Sequence, residues 1–319
     1  FKVVNDGVRD LSKANDTGIV AGHDGGVWLL RPQRFFRLGD DQERTWAAGK
    51  KATVSDFEVA PDGTIWTIQT PNKEDVSTIE SFDGEEWTTH HRVWDTRVLE
   101  VTPDGTAWAI WGDSMHEEDF GYLDEDGWQV LGELPRAKEL LVAGPDDVWA
   151  IGWEANIFSR YLYRFVDGAW QRWITREGTE PTWQPADDPL ANDTEWFDNV
   201  AVGPDGTFWG VAEFPNLLSL VRFDDSGWSR WHFRDADTLW PAAYRVCGSY
   251  SVSNTIGVAA DGSVWTALMT RDPCDCDGGV GHFDGETWDR YLTGLCVEAL
   301  DISADGSIWL LADSDVYVI

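Results

Sequence analysis

Apolar and polar residues alternate in short runs such as Phe57-Glu58-Val59 and Ile65-Trp66-Thr67-Ile68, and each run stops at a turn-forming residue. Alternation with a period of two sends successive side chains to opposite faces of an extended segment, so these runs predict half-buried β-strands. Between the two stands Pro61-Asp62-Gly63. Proline presets φ, aspartate can hydrogen-bond its own backbone, and glycine takes the left-handed position, a combination that predicts a hairpin turn.

That turn recurs. Pro103-Asp104-Gly105-Thr106-Ala107-Trp108 repeats it, and Pro145-Asp146-Asp147-Val148-Trp149 is a contracted copy. Full copies follow over residues 204–209, 260–265 and 304–309, and Asp24-Gly25-Gly26-Val27-Trp28 is a variant near the start. A second motif alternates with the first: an aromatic residue, an Asp-Gly turn and a Trp. Its copies include Phe82-Asp83-Gly84 to Trp87, Asp126-Gly127-Trp128, Phe165-Val166-Asp167-Gly168 to Trp170, Phe223 to Trp228 and Phe283-Asp284-Gly285 to Trp288, with Phe36 to Trp46 as a looser version. Each repeat therefore contains two hairpins, or four strands. The Trp after each turn offers a wide ring to fill the gap between neighbouring sheets.

Trp28, Trp66, Trp108, Trp149, Trp209, Trp265 and Trp309 lie 38, 42, 41, 60, 56 and 44 residues apart. Four strands recurring every ~40–45 residues mark a β-propeller blade. The expectation is all-β: a seven-bladed β-propeller of four antiparallel strands per blade, one domain over residues 1–319. The second motif lacks a seventh copy. After Trp309 the chain offers only Asp315-Val316-Tyr317-Val318-Ile319, whereas it begins with a spare strand, Phe1-Lys2-Val3-Val4. Residues 1–4 are therefore predicted to complete the last blade alongside the C-terminus, which removes an exposed edge.

The Pro-Asp-Gly-Thr-x-Trp repeat resembles the bacterial propeller superfamily that contains two-component-regulator sensor propellers and the streptogramin lyases. The resemblance covers the whole chain and rests on the fold-forming repeat. It implies seven blades and, for the sensor members, a recognition role. For the lyases it implies an elimination that opens a cyclic depsipeptide with a His base, a Glu and a divalent metal. Their repeat continues after the Trp as Phe-Thr-Glu, whereas this chain continues as Thr-Ile-Gln, Ala-Ile-Trp, Ala-Ile-Gly, Gly-Val-Ala, Thr-Ala-Leu and Leu-Leu-Ala. No catalytic residue of that family is carried over.

Charge narrows the partners. Over 319 residues the formal net charge is −33, from 57 acidic against 24 basic side chains. Nucleic-acid affinity comes largely from Lys and Arg, so a phosphate-backbone partner is not expected. Anionic membrane surfaces are disfavoured for the same reason, and no apolar run approaches the ~20 residues that span a bilayer. The acidic surface suits solubility of a secreted protein, high salt, or a cationic partner. The start at Phe1, without an initiator Met, reads as a processed or trimmed product.

Candidate chemistry sits in the connections. Turns within hairpins belong to one rim of a propeller and connections to the other, and the chain is enlarged at residues 176–196, 234–253 and 269–278. Long loops on a rigid scaffold commonly carry binding. Trp94, Trp111, Trp153, Trp183, Trp196 and Trp240 stand in or beside such connections, with Tyr244, Tyr250 and Phe214. Aromatics mixed with Asp, Asn and Glu can stack sugars or grip a peptide, or they can pack loops onto the blades.

Cys247, Cys274, Cys276 and Cys296 cluster around the sixth blade. Cys274 and Cys276 are poorly spaced to bond each other, so two disulfides running outward to Cys247 and Cys296 are expected, in an oxidising setting. A four-thiolate zinc site is the rival. Asp275-Cys276-Asp277-Gly278 matches part of a calcium loop, but Pro273 occupies its first ligand position. His116 with Glu117, Glu118 and Asp119, facing His90 and His91, and His232 with Asp235 and Asp237, are candidates for metal binding or proton transfer, or are solvated polar groups.

The reading from sequence is an extracellular or cell-surface recognition or sensor propeller. It is expected to be a monomer without catalytic residues or a cofactor, calcium being the one metal alternative. It would bind a glycan, peptide or protein through its aromatic, acidic connections. A lyase-like or carbohydrate-active enzyme with its site at the channel mouth is the alternative.

Overall fold

The computed structural model describes residues 2–3, 18–22, 26–31, 34–38, 44–47, 52–71, 76–94, 96, 98–112, 117–135, 137–144, 147–153, 160–174, 182–185, 196–214, 217–224, 227–232, 256–267, 279–295, 297–312 and 315–319. All regular structure among them is β. None of it is a helix long and apolar enough to cross a membrane. The strands form seven antiparallel sheets that follow one another along the chain, the blades of a β-propeller. The first strand of each blade, here called the inner strand, pairs with the second, the second with the third and the third with the fourth.

The second blade shows the plan in full. Ala52–Val59, Ile65–Pro71, Val76–Phe82 and Trp87–Trp94 pair in sequence order. Both Asp-Gly turns therefore lie at one end of the sheet and the connection over residues 72–75 at the other. The first turn is closed by Gly63 N–H donating to Ala60 O at 2.9 Å and Ala60 N–H donating to Thr64 O at 2.9 Å. Asp62 Oδ1 accepts from Thr64 N–H at 2.9 Å. Gly63 sits at φ +87°, where a Cβ would strain the backbone. The turns at Asp104, Asp205, Asp261 and Asp305 repeat these bonds. The motif is thus one hydrogen-bonded device used again and again.

The second motif is explained by register. Phe82 pairs directly with Trp87, Phe165 with Trp170, Phe223 with Trp228 and Phe283 with Trp288. Ring centroids of the pairs Phe82–Trp87 and Phe283–Trp288 are both 4.9 Å apart. In these four copies the two aromatics are therefore cross-strand partners, the unit of sheet stabilisation; in the looser copy Trp46 lies opposite Phe35, not Phe36.

The seventh blade closes as expected. Its strands Val297–Ile302, Ile308–Ala312 and Asp315–Val318 are joined by Lys2–Val3, with Lys2 opposite Val318 and Val3 opposite Tyr317. The fourth blade departs from the expected plan. A fifth strand, Thr182–Pro185, pairs antiparallel with Ala169–Ile174 on its outer edge. Part of the 176–196 segment therefore runs back down the sheet instead of staying in the rim.

The chain groups into two compact units. One comprises Phe1–Ala48, Asp198–Ala212 and Asn216–Ile319; the other comprises Gly49–Phe197 and Glu213–Pro215. In the second unit, Trp66, Ile68 and Ile79 of the second blade pack with Leu99, Ala109 and Trp111 of the third. Trp108 and Phe120 of the third blade pack with Val148, Tyr163 and Trp170 of the fourth. In the first unit, Trp209 joins Ile256 and Val264, Trp265 joins Leu300 and Leu310, and Trp309 joins Ile19 and Leu29. Trp66, Trp108, Trp209, Trp265 and Trp309 each fill the layer between their own blade and the next, whereas Trp111 and Trp170 enter the same layers from the following blade.

Candidate functional site

The register places several predicted residues at the connection ends of their strands. Trp94 ends the fourth strand of the second blade opposite Val76. Trp153 ends the second strand of the fourth blade opposite Arg160. Trp196 begins the first strand of the fifth. Phe214 ends Phe208–Phe214. All three of these tryptophans belong to the second compact unit.

Two other indoles pack against neighbouring rings. Trp111 also ends a strand, but it is only 6 % exposed, and its ring lies 5.4 Å from Trp128 in the layer between blades. It has no face to offer a ligand. Trp183 is carried by the fifth strand, not by a rim loop, and its ring meets Trp173 at 5.1 Å and Trp149 at 5.6 Å. His116, Trp240, Tyr244, Tyr250, Asp235, Asp237, the calcium-loop residues Asp275 and Asp277, and the cysteines Cys247, Cys274, Cys276 and Cys296 lie outside the described residues.

His90 and His91 occupy a β-bulge. Ile79 pairs with His91 and Glu80 with Thr89, so His90 is the extra residue. The bulge re-aims both imidazoles. His90 stacks on Trp66 with centroids 4.6 Å apart, and His91 meets Trp111 at 5.5 Å and Trp128 at 5.6 Å. The reason lies in the repeat. In other blades the residue directly opposite the first-motif Trp covers its ring: Tyr122 on Trp108, Arg164 on Trp149, His282 on Trp265 and Arg37 on Trp28. Ser81 holds that place opposite Trp66 and is too small to do so. His90 fills the space instead, with Ser81 Oγ 2.7 Å from its Nε2. Desolvation between the rings pushes both imidazoles below their ordinary pKa.

Glu118 does not join these histidines. Strand alternation turns it toward the fourth blade, where its Oε2 accepts from Ala137 N–H at 2.9 Å and its side chain is almost fully buried. His232 Nδ1 lies 2.8 Å from Ser219 Oγ, its cross-strand neighbour.

Sequence reasoning missed the carboxylates of the inner strands. Asp56 Oδ2 accepts from Leu99 N–H of the third blade at 2.9 Å, and Asp301 Oδ2 accepts from Ala21 N–H of the first blade at 2.7 Å. Burial pushes Asp56 up to about 7 and Asp301 up to about 6. The amide bonds oppose this and lose, because two donors do not replace the water a charge gives up. The available signal was an acidic residue interrupting an apolar strand, as in Val54-Ser55-Asp56-Phe57.

No protein-family model matches the chain, and no curated protein matches it in sequence. Solved structures match it in fold. The extracellular domain of BT4673 from B. thetaiotaomicron is similar with a TM-score of 0.58 at 10 % identity, over 96 % of this chain and 41 % of that one. YCF48, solved bound to D1 peptide, gives 0.57 at 13 % over 95 % of this chain and 91 % of that one. Puromycin hydrolase gives 0.63 at 13 % over 96 % of this chain and 52 % of that one. The chain thus spans less than half of the BT4673 domain and about half of the hydrolase. At these identities the likeness is one of fold, and the fold is the propeller.

Proposed function

We propose that this chain is a recognition propeller that binds an extracytoplasmic ligand, a glycan, peptide or protein, through the connection ends of its blades. The observation that carries this reading is the contrast between the two ends of the sheets. At one end the first-motif turns are short and closed by the same aspartate and glycine bonds in blade after blade. At the other end the connections vary in length, and Trp94, Trp153 and Trp196 stand where strands meet them. A scaffold with one sealed end keeps its sequence variation, and so its specificity, at the other.

Two neighbours lend support. BT4673 is assigned to one- and two-component systems and its matched part is extracellular. YCF48, similar in fold over 91 % of its own chain, was solved bound to a peptide. The acidic surface favours a ligand with cationic or hydroxyl groups over an anionic one. A second reading follows from puromycin hydrolase and the propeller domain of the Trilobed protease from Pyrococcus furiosus. In it, the chain is the non-catalytic companion of an enzyme and selects the substrate.

Glycan arrays and immobilised peptide libraries probed with the purified chain test both readings, with captured ligand recovered for mass spectrometry. Saturable binding that weakens about tenfold or more in Trp94→Ala, Trp153→Ala or Trp196→Ala, with ligand recovered unchanged, is the expected result. Binding indifferent to all three substitutions overturns the proposed surface. Chemical conversion of the ligand by the chain overturns the non-catalytic assignment.

A further inference from the structure

Each blade is a separate sheet, so main-chain ladders join strands within a blade, and blade-to-blade cohesion falls largely to apolar packing. Among the described residues, a carboxylate at two junctions adds a hydrogen bond from the inner strand of one blade to the inner strand of the next. Asp56 follows a bulge: Val54 is opposite Gln69 and Asp56 is opposite Ile68. Its Oδ1 accepts from Phe57 N–H at 3.0 Å and its Oδ2 from Leu99 N–H at 2.9 Å. Asp301 does the same between the seventh and first blades. Its Oδ1 accepts from Ile302 N–H at 2.7 Å and its Oδ2 from Ala21 N–H at 2.7 Å. In both, one oxygen is tied to its own strand and the other to the neighbouring blade.

The surroundings differ in charge. Among the described residues, the strand Ile65–Pro71 beside Asp56 is uncharged, Val98–Val101 brings Glu100, and Glu58 shares the strand of Asp56. Glu139, on the first strand of the fourth blade, adds like-charge repulsion. Among the described residues, the strands packed against Val297–Ile302, which carries Asp301, are Gly18–Ala21, Ile256–Val258, Val264–Ala267 and Ile308–Ala312, and none of these four carries an ionisable side chain. Glu298 shares the strand of Asp301 and points to solvent.

We propose that Asp56 and Asp301 are proton-operated latches between blades. Ionised, each carboxylate holds one donor on its own strand and one on the next blade. Taking up a single proton from water puts a hydrogen on one oxygen, and no other covalent bond changes. The charge-assisted bonds become neutral ones of roughly half the strength, and the inter-blade bond loosens. The burial that raises both carboxyls places this step between neutral and mildly acidic pH. Acid therefore relieves the cost of a buried charge while loosening the junction, so overall stability and local protection move in opposite directions. That opposition separates a latch from a carboxyl that is merely buried.

The test is a titration of the aspartate ¹³Cγ resonances of the full chain, assigned through Asp56→Asn and Asp301→Asn, together with amide hydrogen exchange. Expected midpoints are about 7 and about 6, with protection of the Leu99 and Ala21 amides falling several-fold from pH 8 to pH 5 after correction for intrinsic exchange. In Asp56→Asn the pH dependence at Leu99 disappears while that at Ala21 remains. Midpoints near the ordinary 3.8 overturn the proposal. So do raised midpoints with unchanged protection at both amides. The exchange of the Leu99 and Ala21 amides is read in the unsubstituted protein alone, so a variant that fails to fold leaves the proposal open to refutation.

Discussion

Aspartate does opposite things in two regions of this propeller. In the hairpin turns Asp284 Oδ1 accepts from Glu286 N–H at 2.9 Å and Thr287 N–H at 2.6 Å, and its carboxyl falls to about 2. In the inner strands Asp56 also accepts two amide bonds, yet its carboxyl rises to about 7. Two amide donors are common to both, and Asp284 adds the Thr287 hydroxyl, which donates to its Oδ2 at 2.9 Å. What differs most is water: the turn keeps the charge solvated, so each bond is a net gain for the ionised form, whereas the half-buried strand position takes away much of the solvent and two amides do not replace it. The turn aspartates therefore stabilise the fold when charged, and the inner ones when neutral.

Truncation sharpens this contrast most. Glu118→Ala removes a nearly fully buried side chain and orphans the Ala137 amide, so a loss of about 2–4 kcal/mol is expected in chemical denaturation. Glu118→Gln keeps an acceptor and should recover most of it. Asp104→Ala in an exposed turn should cost less than about 1 kcal/mol. Equal losses in Glu118→Ala and Asp104→Ala would erase the distinction between buried and exposed carboxylates.

Stability against pH is the next test. Turn carboxyls such as Asp104, Asp205 and Asp284 titrate below their unfolded value of 3.8. Their contribution is present above that pH and is lost as pH falls through the folded values. Asp56 and Asp301 titrate above 3.8, so the folded state binds more protons and stability is lost as pH rises toward about 6 and about 7. His90 and His91 titrate below 6.5, so their contribution is present above it and declines with acidification. Melting temperature should thus peak at about pH 4–6. The alkaline fall should flatten in the double variant Asp56→Asn/Asp301→Asn; an unchanged slope would show that the two inner carboxyls do not cause it.

Salt divides that alkaline fall further. Self-repulsion of a chain with net charge −33 is screened by salt, whereas a desolvation penalty is not. At pH 8 the melting temperature should rise with added sodium chloride, while the difference between wild type and Asp56→Asn stays constant. The smallest expected effect is at the bulge. His90→Phe keeps a ring on Trp66 and should change stability by less than about 1 kcal/mol while removing one pH-dependent contribution to Trp fluorescence. A larger loss would mean that the bond to Ser81, not the stack, holds the bulge.

Much of the fold was legible because its determinants are local. Pro61-Asp62-Gly63 turns by its own φ preferences and carboxylate, and Phe82 meets Trp87 because a short turn fixes their register. The repeat made the number of blades countable, and the spare strand at residues 2–3 joined the seventh blade, where the second motif has no copy. The candidate site was legible only as positions. Trp111 and Trp183 follow the same sequence pattern as Trp94, yet one is buried between blades and the other lies on a fifth strand.

The chain by itself determined its turns and the hairpins they close, since these follow from neighbours a few residues away, and the count of its repeats pointed to the closing strand; the fifth strand of the fourth blade left no such mark. Tertiary structure alone decided that His90 stands in for a missing cover on Trp66. It also decided that Asp56 accepts an amide from Leu99 and titrates far from Asp62-type turn residues. The physical reason is that desolvation is set by whatever atoms surround a group. Around Asp56 those atoms come from blades remote along the chain, where no local pattern records them.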